Sequence, residues 1–401
     1  MNHNNIVTNN DTNDIPFSVI LKANRIKYNL TQKELSDSLS LPKFGDRTIR
    51  RWENGESIPS KLEQKFINDY FIKLSNPPFK DNLNARYKII DLFAGIGGTR
   101  LGFQLTGKTK TVFSSEWDKF AQKTYFSNFG EIPDGDITKI NEEEVPDHDI
   151  LVAGFPCQAF SQAGLKLGFN DTRGTLFFDV ARIIKAKRPK MFLLENVKNL
   201  KSHDKGRTYK TIINTLEELN YKVTSHLFKA RDFGAPQNRE RIYIVGFDLN
   251  QFPEEKEFIF PIPPYPETSV GKILEANVDD KFTISDKLWD GHKRRKAKHT
   301  SKGNGFGYTL YNDKSEYTNT LSARYYKDGS EILIEQKNKN PRKITPREAA
   351  RLQGFPEHFI IPVSNTQAYK QFGNSVCVPV VNAIAEQIID FLDNNTGFEN
   401  Y

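Results

Sequence analysis

Five short apolar or β-branched runs, Tyr87–Leu92, Thr111–Ser114, Ile150–Ala153, Met191–Leu194 and Arg241–Phe247, alternate with helical segments through the middle of the 401-residue chain. That alternation predicts a parallel sheet covered by helices, an α/β fold. A loop follows each run, and most of the unusual residues of the chain sit in those loops. Open α/β sheets bind ligands outside the carboxyl ends of their strands, so these loops are where function is expected.

The flanks read differently. Residues 1–16, rich in Asn and Asp, read as a disordered tail. Residues 17–75 read as four or five short helices with no strand pattern. Asn76-Pro77-Pro78 opens a linker over 76–86, because paired prolines stop a helix and stiffen the chain. Residues 252–266, rich in Pro, Phe and Glu, form an irregular connection. The stretch 267–343, with many Lys, Gly, Asn and Tyr, reads as a separate loop-rich, strand-poor module. Helix returns at Thr345–Gln353 and near the C-terminus.

Composition narrows the function classes. Two cysteines, Cys157 and Cys377, exclude a disulfide scaffold and a zinc-finger array, and no metal site is expected. The sequence reads as lacking an apolar run of about 18 residues, so no membrane span or membrane partner is expected. A polar start argues against secretion. The net charge of +7 suggests a polyanionic partner.

Within the N-terminal module, Thr31 reads as an N-cap and Glu34 completes a capping box, with Leu35 and Leu39 on the buried face. After a turn around Pro42–Gly45, Asp46–Gly55 reads as a second helix capped by Gly55. Arg47, Arg50 and Arg51 lie on it. Two helices across a short turn resemble the helix-turn-helix of phage repressors, which the Trp52-Glu53-Asn54-Gly55 ending also fits. The alternative is a helical bundle with a basic docking face. Residues 1–80 hold 12 basic and 9 acidic residues, a net of +3. So small an excess requires base contacts or dimerisation for tight DNA binding.

The first sheet run leads into Asp91-Leu92-Phe93-Ala94-Gly95-Ile96-Gly97-Gly98. Glycines there allow a tight turn and a close approach to a ligand. Arg100 stands where a dinucleotide site has its third glycine, and no phosphate-loop Lys follows. Glu116 ends the second run, where an acid hydrogen-bonds ribose hydroxyls. A cofactor with a ribose but no pyrophosphate is implied, and S-adenosylmethionine fits. Trp117 is placed to stack on adenine, and Asp136 to accept from its amino group. Taken singly, each is also readable as an ordinary loop residue.

Gly154-Phe155-Pro156-Cys157 follows the third run. A lone cysteine is most often a small buried hydrophobe, the reading kept for Cys377. The Pro- and Gly-framed loop at the ligand edge makes Cys157 a nucleophile candidate. Glu195 directly follows an apolar run, where burial raises a carboxyl pKa and makes a proton donor; an ordinary loop acid is the alternative. Arg239 and Arg241, at alternate positions, point to one face, or else form a solvated basic edge.

In order and wording, Asp91–Gly98, Pro156-Cys157, Glu195-Asn196-Val197, Gln237–Arg241, Thr345–Gly354 and Gly373-Asn374-Ser375-Val376 resemble the DNA cytosine-5 methyltransferases over residues 87–395. The resemblance implies a Rossmann-like catalytic and cofactor-binding domain at 87–266, a target-recognition domain at 267–356 and a C-terminal segment, 357–401, returning to the catalytic domain. The same likeness makes Cys157 the nucleophile, Glu195 the proton donor and Arg241 the electrostatic stabiliser. Phe93, Ala94, Gly95, Gly97, Gly98, Glu116, Trp117, Asp136, Ile137, Asn374 and Ser375 would hold S-adenosylmethionine. On the DNA side it places Arg239, Thr320, Leu321 and Arg324, with Ser161 and Arg173 in a loop closing over the flipped base. Residues 281–300 carry seven Lys or Arg and two Asp, which suits a phosphate-facing surface or a merely solvated loop. The stretch Thr320–Gly329 resembles the recognition segment of members that methylate CCNGG or CCWGG. The implied partners are double-stranded DNA, an operator at the chain's own promoter and a separately encoded restriction endonuclease, for a monomeric enzyme of the bacterial cytoplasm and nucleoid. A tRNA-acting member of the same family and a silent DNA-binding regulator are the competing readings.

Overall fold

The computed structural model describes residues 15–28, 30–39, 41, 45–156, 176–303, 305 and 307–395. The chain divides into two compact units, Met1–Lys80 with Phe126–Glu131, and Asp81–Tyr125 with Ile132–Tyr401.

The first unit is helical, with α1 (Phe17–Lys27), α2 (Gln32–Ser38), α3 (Gly45–Glu53) and α4 (Lys61–Ser75). Its core gathers Leu21, Leu35, Leu39, Ile49, Trp52, Ile67 and Phe71, so Leu35 and Leu39 lie inward as their spacing implies. Gly55 ends α3 in the left-handed region at φ 72°. The Gly55 N–H donates to Trp52 O at 3.2 Å and the Glu56 N–H to Arg51 O at 2.9 Å, the paired bonds of a Schellman cap. Glu53 is buried at the C-terminal end of α3. It accepts from Arg25, by Nη2 at 3.1 Å as well as by Nε, and from Gln32 Nε2 at 2.8 Å. Arg47, Arg50 and Arg51 are exposed along α3.

In the second unit, β1 (Tyr87–Leu92), β2 (Thr109–Ser115), β3 (Ile150–Gly154), β4 (Met191–Val197), β5 (Tyr221–Lys229) and β6 (Glu240–Asp248) form one sheet, in the order β2-β1-β3-β4-β6-β5. The first four strands are parallel, but β6 runs antiparallel to both its neighbours, so the expected all-parallel sheet is mixed. The reversal has a functional effect. It brings the N-terminal end of β6, with Arg239 and Arg241, to the edge where β1 to β4 end. The edge strand β5 was not anticipated. Lys222, Thr224, Ser225 and His226 make it too polar to stand out as an apolar run.

Alternate strand residues feed two cores. Ile89, Val152, Leu193 and Val245 face α12 (Val378–Asn395), through Val381, Ile384 and Ile388. Helices α5 (Gly98–Gln104) and α6 (Lys119–Phe129) follow β1 and β2 in the chain, and Ile90, Leu151, Leu194 and Ile244 face α7 (Leu176–Lys187) and α8 (Arg207–Glu218). The 365–395 stretch does contain a window apolar enough to cross a membrane by composition, contrary to the expectation from sequence. Most of that window is buried inside the unit, and core packing accounts for its apolarity.

The stretch read as loop-rich holds a 15-residue helix, α9 (Asp286–Thr300), and a small sheet of β7 (Leu310–Tyr311), β8 (Leu333–Ile334) and β9 (Arg342–Lys343). Ser285 caps α9 by accepting from the Leu288 N–H. The charge run 281–300 therefore lies largely on a helix, where Lys287, Arg294 and Lys298 are exposed. Nearby, α10 (Pro346–Leu352) starts with a complete capping box between Thr345 and Glu348, and α11 (Asn365–Asn374) precedes α12.

Candidate active site

A cavity of about 670 Å³ opens at the strand ends that carry the glycine loop, Glu116, Pro156 and Glu195. The glycine loop turns sharply after β1. Gly97, at φ 82°, caps α5 (Gly98–Gln104) in the left-handed region. Gly98 packs so closely that a Cβ would lie 2.7 Å from Ser375 Oγ and 3.0 Å from Val376 Cγ2. The absence of a side chain there lets the 373–376 turn close one wall of the cavity.

Glu116, directly after β2, is buried and accepts from the Gly95 N–H at 2.9 Å and the Asp118 N–H at 2.8 Å. Burial raises its carboxyl pKa against the pull of those N–H groups. Two bonds leave further lone pairs on a carboxylate, which suit ribose hydroxyls. Trp117, 75% exposed, presents its indole at the same wall. Asp136 also lines the cavity, and one of its carboxyl oxygens accepts from the Thr138 N–H at 3.1 Å. Phe93, Ala94, Gly95, Gly98, Ile137, Asn374 and Ser375 line it as well. Gly97 does not, and its part is the turn itself. The backbone cradle, free carboxylate lone pairs and flat aromatic face fit an adenosine-bearing cofactor.

Glu195 stands on β4 at the opposite wall. Arg241 Nε approaches its Oε1 at 3.1 Å. Arg241 pairs across the ladder with Val197, and the two-residue offset puts its guanidinium diagonally on the Glu195 face. Burial pushes the Glu195 carboxyl up, opposed by the charges of Arg241 and Arg239. Pro156 reaches the cavity, whereas Cys157 lies outside the described residues, as do Ser161 and Arg173.

Two of the residues expected on the DNA side have buried side chains. Arg239 is 2% exposed and donates to the carbonyls of Leu321 at 3.4 Å, Gly373 at 3.2 Å and Ser375 at 2.5 Å. Burial and the neighbouring Arg241 lower its pKa to about 9. The Leu321 side chain is fully buried. Leu321 lies away from the cavity, whereas Arg239, though buried, is among the residues that line it. Thr320 is half-buried and Arg324 exposed, and neither lines the cavity.

Two further residues went unmarked in the sequence. Asn196 is buried and donates from its amide to Phe155 O at 2.8 Å, two residues before Cys157, while its Oδ1 accepts from the Val197 N–H at 2.8 Å. Gln237 donates to Leu352 O at 3.0 Å and accepts from the Leu321 N–H at 2.8 Å. Both stand inside motifs read for their charged neighbours, and a buried amide beside a reactive group was the available signal.

Comparison with known proteins gives the lineage. The family described as C-5 cytosine-specific DNA methylase matches residues 87–390, and a helix-turn-helix family matches 21–63. The Type II methyltransferase M1.ScrFI of Lactococcus lactis subsp. cremoris is 69% identical over 94% of this chain and 96% of its own. The Type II methyltransferase M.SsoII of Shigella sonnei is 66% identical over 93% and 98%. Among solved structures, a DNMT2 mutant of Spodoptera frugiperda superposes with a TM-score of 0.62 at 22% identity, over 76% of this chain and 99% of that one, a likeness of fold. The chain thus belongs to the C-5 cytosine-specific DNA methylase family: it is a restriction–modification DNA cytosine-5 methyltransferase that uses S-adenosylmethionine and carries an N-terminal helix-turn-helix.

Proposed function

We propose that the enzyme methylates a cytosine swung out of duplex DNA within CCNGG or CCWGG, with Cys157, Glu195 and Arg241 carrying the chemistry. The Glu195–Arg241 pair supports this most directly, because it shares one cavity wall with Pro156, the residue before Cys157, and faces the cofactor-fitting side. The Cys157 thiolate adds to C6 of the ring and forms an S–C6 bond. Glu195 gives N3 a proton as the ring takes up the electron pair, which leaves C5 nucleophilic. Arg241 stabilises the O2 side. When bound, S-adenosylmethionine supplies an electrophilic methyl group for C5. A base, water or a side chain, then takes the C5 proton, the C5–H electron pair re-forms the C5=C6 bond and breaks the S–C6 bond to release the Cys157 thiolate, and N3 returns its proton to Glu195. Extrusion of the base costs about a few kcal/mol, offset by contacts in the cavity.

In this reading 87–266 is the catalytic domain, 267–356 recognises the target and 357–401 returns to the catalytic domain. Residues 76–86 link them to the helix-turn-helix at 17–75. Arg324 reads a guanine edge, and the exposed cations of α9 meet phosphates. Arg47, Arg50 and Arg51 bind an operator at the enzyme's own promoter. On its methylation target the enzyme acts as a monomer, in the bacterial cytoplasm and on nucleoid DNA, beside a separately encoded endonuclease.

Bisulfite sequencing of a plasmid expressed with the enzyme in a methylation-free host tests the activity and the motif together. Protected cytosines at CCNGG or CCWGG are expected; another motif overturns the target reading alone. Cys157→Ser abolishes transfer and leaves cofactor binding intact, and turnover by this variant would rule out the covalent route. Deletion of residues 1–78 raises promoter output, and unchanged output removes the operator role.

A further inference from the structure

Beside the cavity, three stretches far apart in sequence meet in one buried junction. Thr318 to Leu321 runs along Pro236–Asn238. The Thr318 N–H donates to Pro236 O at 2.9 Å and the Asn238 N–H to Thr318 O at 2.8 Å. Thr320 Oγ1 donates to Asn238 O at 2.6 Å, and the Leu321 N–H to Gln237 Oε1 at 2.8 Å. From the other side comes Gly373, where any Cβ would run into the backbone of Ser322 and Ala323. Arg239 fills the centre. Its guanidinium holds the Leu321 carbonyl on one side and the Gly373 and Ser375 carbonyls on the other.

We propose that Arg239 is a positioning residue that couples target reading to methyl transfer, by tying the backbone of the recognition segment at Leu321 to the cofactor-lining turn Gly373–Ser375. The proposal rests on the reading of Thr320–Gly329 as the recognition segment. A wrong base pair that displaces this segment pulls the Leu321 carbonyl from a buried cation. Losing that bond takes one of three carbonyl acceptors from a cation that is 2% exposed, so the displacement is resisted at the junction or passed on to Ser375. Arg239 and Arg241 also stand in the field of Glu195, and both hold its carboxyl down against burial. The planar guanidinium suits the task because it bonds several carbonyls at fixed angles, which an ammonium does not.

The test uses the full-length enzyme and the motif that bisulfite sequencing assigns to the wild type. Arg239→Lys keeps the charge and loses the fork. Cofactor Kd is measured without DNA, and kcat and KM are measured on duplexes bearing the motif or one changed base pair. The expected outcome is a cofactor Kd raised about tenfold and discrimination between the duplexes reduced about tenfold, within the usual size of coupling between sites. The KM for the cognate duplex stays nearly unchanged. Equal losses on every duplex with cofactor Kd unaltered, or no loss at all, would overturn the proposal. Should Arg239→Lys not fold, Thr320→Val removes one hydroxyl bond of the same junction. Both readouts then move in the same direction by about threefold, near the value of a single hydrogen bond, and unmoved readouts overturn the coupling. A wild-type motif other than CCNGG or CCWGG removes the target reading and leaves the coupling test in force.

Discussion

Glu53 in the helical unit and Glu195 at the cavity are both glutamates held by an arginine, and they are held differently. Glu53 receives two bonds from Arg25 and one from Gln32. Glu195 has Arg241 as its one ion-pair partner among the described residues and lines the cavity. Glu348 repeats the first pattern, with Arg342 at 2.7 and 2.8 Å and the N–H groups of Glu275 and Thr345 at 2.9 and 2.8 Å. A carboxylate saturated by donors pins two elements together. One left short of donors, with burial raising its pKa, keeps a proton and a lone pair to offer. The density of donors around the acid separates a pin from a reagent, although both look alike in the sequence.

The contrast is sharpened most by Glu195→Gln, which slows methyl transfer by about 10²–10⁴, the usual worth of a general acid. The melting temperature should hardly move, and a large loss of stability would place Glu195 among the pins. Glu53→Ala should do the reverse. It leaves Arg25 half-buried without its carboxylate partner, a loss of about 3 kcal/mol in the helical unit, seen as an earlier thermal transition with kcat unchanged. A large fall in kcat instead would break the distinction. The smallest effect concerns Asp91, a fully buried acid on β1 whose carboxyl burial pushes up to about 7, against the pull of Arg100. Its folded pKa exceeds the unfolded value of 3.8, so the folded state binds the proton more tightly, and stability declines as pH rises from about 4 to 7. Asp91→Asn should flatten the fall of Tm over that window. An unchanged slope would assign the pH dependence to other groups.

Much of this is legible in the sequence. The span Tyr87–Leu92 is the strand its apolar run implies, and Glu195 is half-buried near the end of β4, as the preceding Phe192-Leu193-Leu194 implies. What escaped was set by partners distant in sequence. Edge strand β5 has one neighbour and a half-solvated face, so its polar letters hide it. Helix α9 is dense in charge and has a single buried residue, His292, so it lacks an apolar stripe to announce it. Arg239 looks like a surface cation until the carbonyls of Leu321, Gly373 and Ser375 are seen around it. Burial of a charge depends on such long-range acceptors, which local pattern does not contain.

The seam at Gly373 also bears on how such an enzyme changes its preferences over generations. Main chain meets main chain there, at Ser322 and Ala323, and main chain is the same for every residue type. Exposed letters beyond the seam, such as Arg324, Tyr326 and Lys327, are free to drift, provided the path through Thr320–Ala323 and the buried Tyr325 are kept. In the proposed reading, a lineage that preserves one glycine and the neighbouring turn inherits a fixed engine with a replaceable reading head.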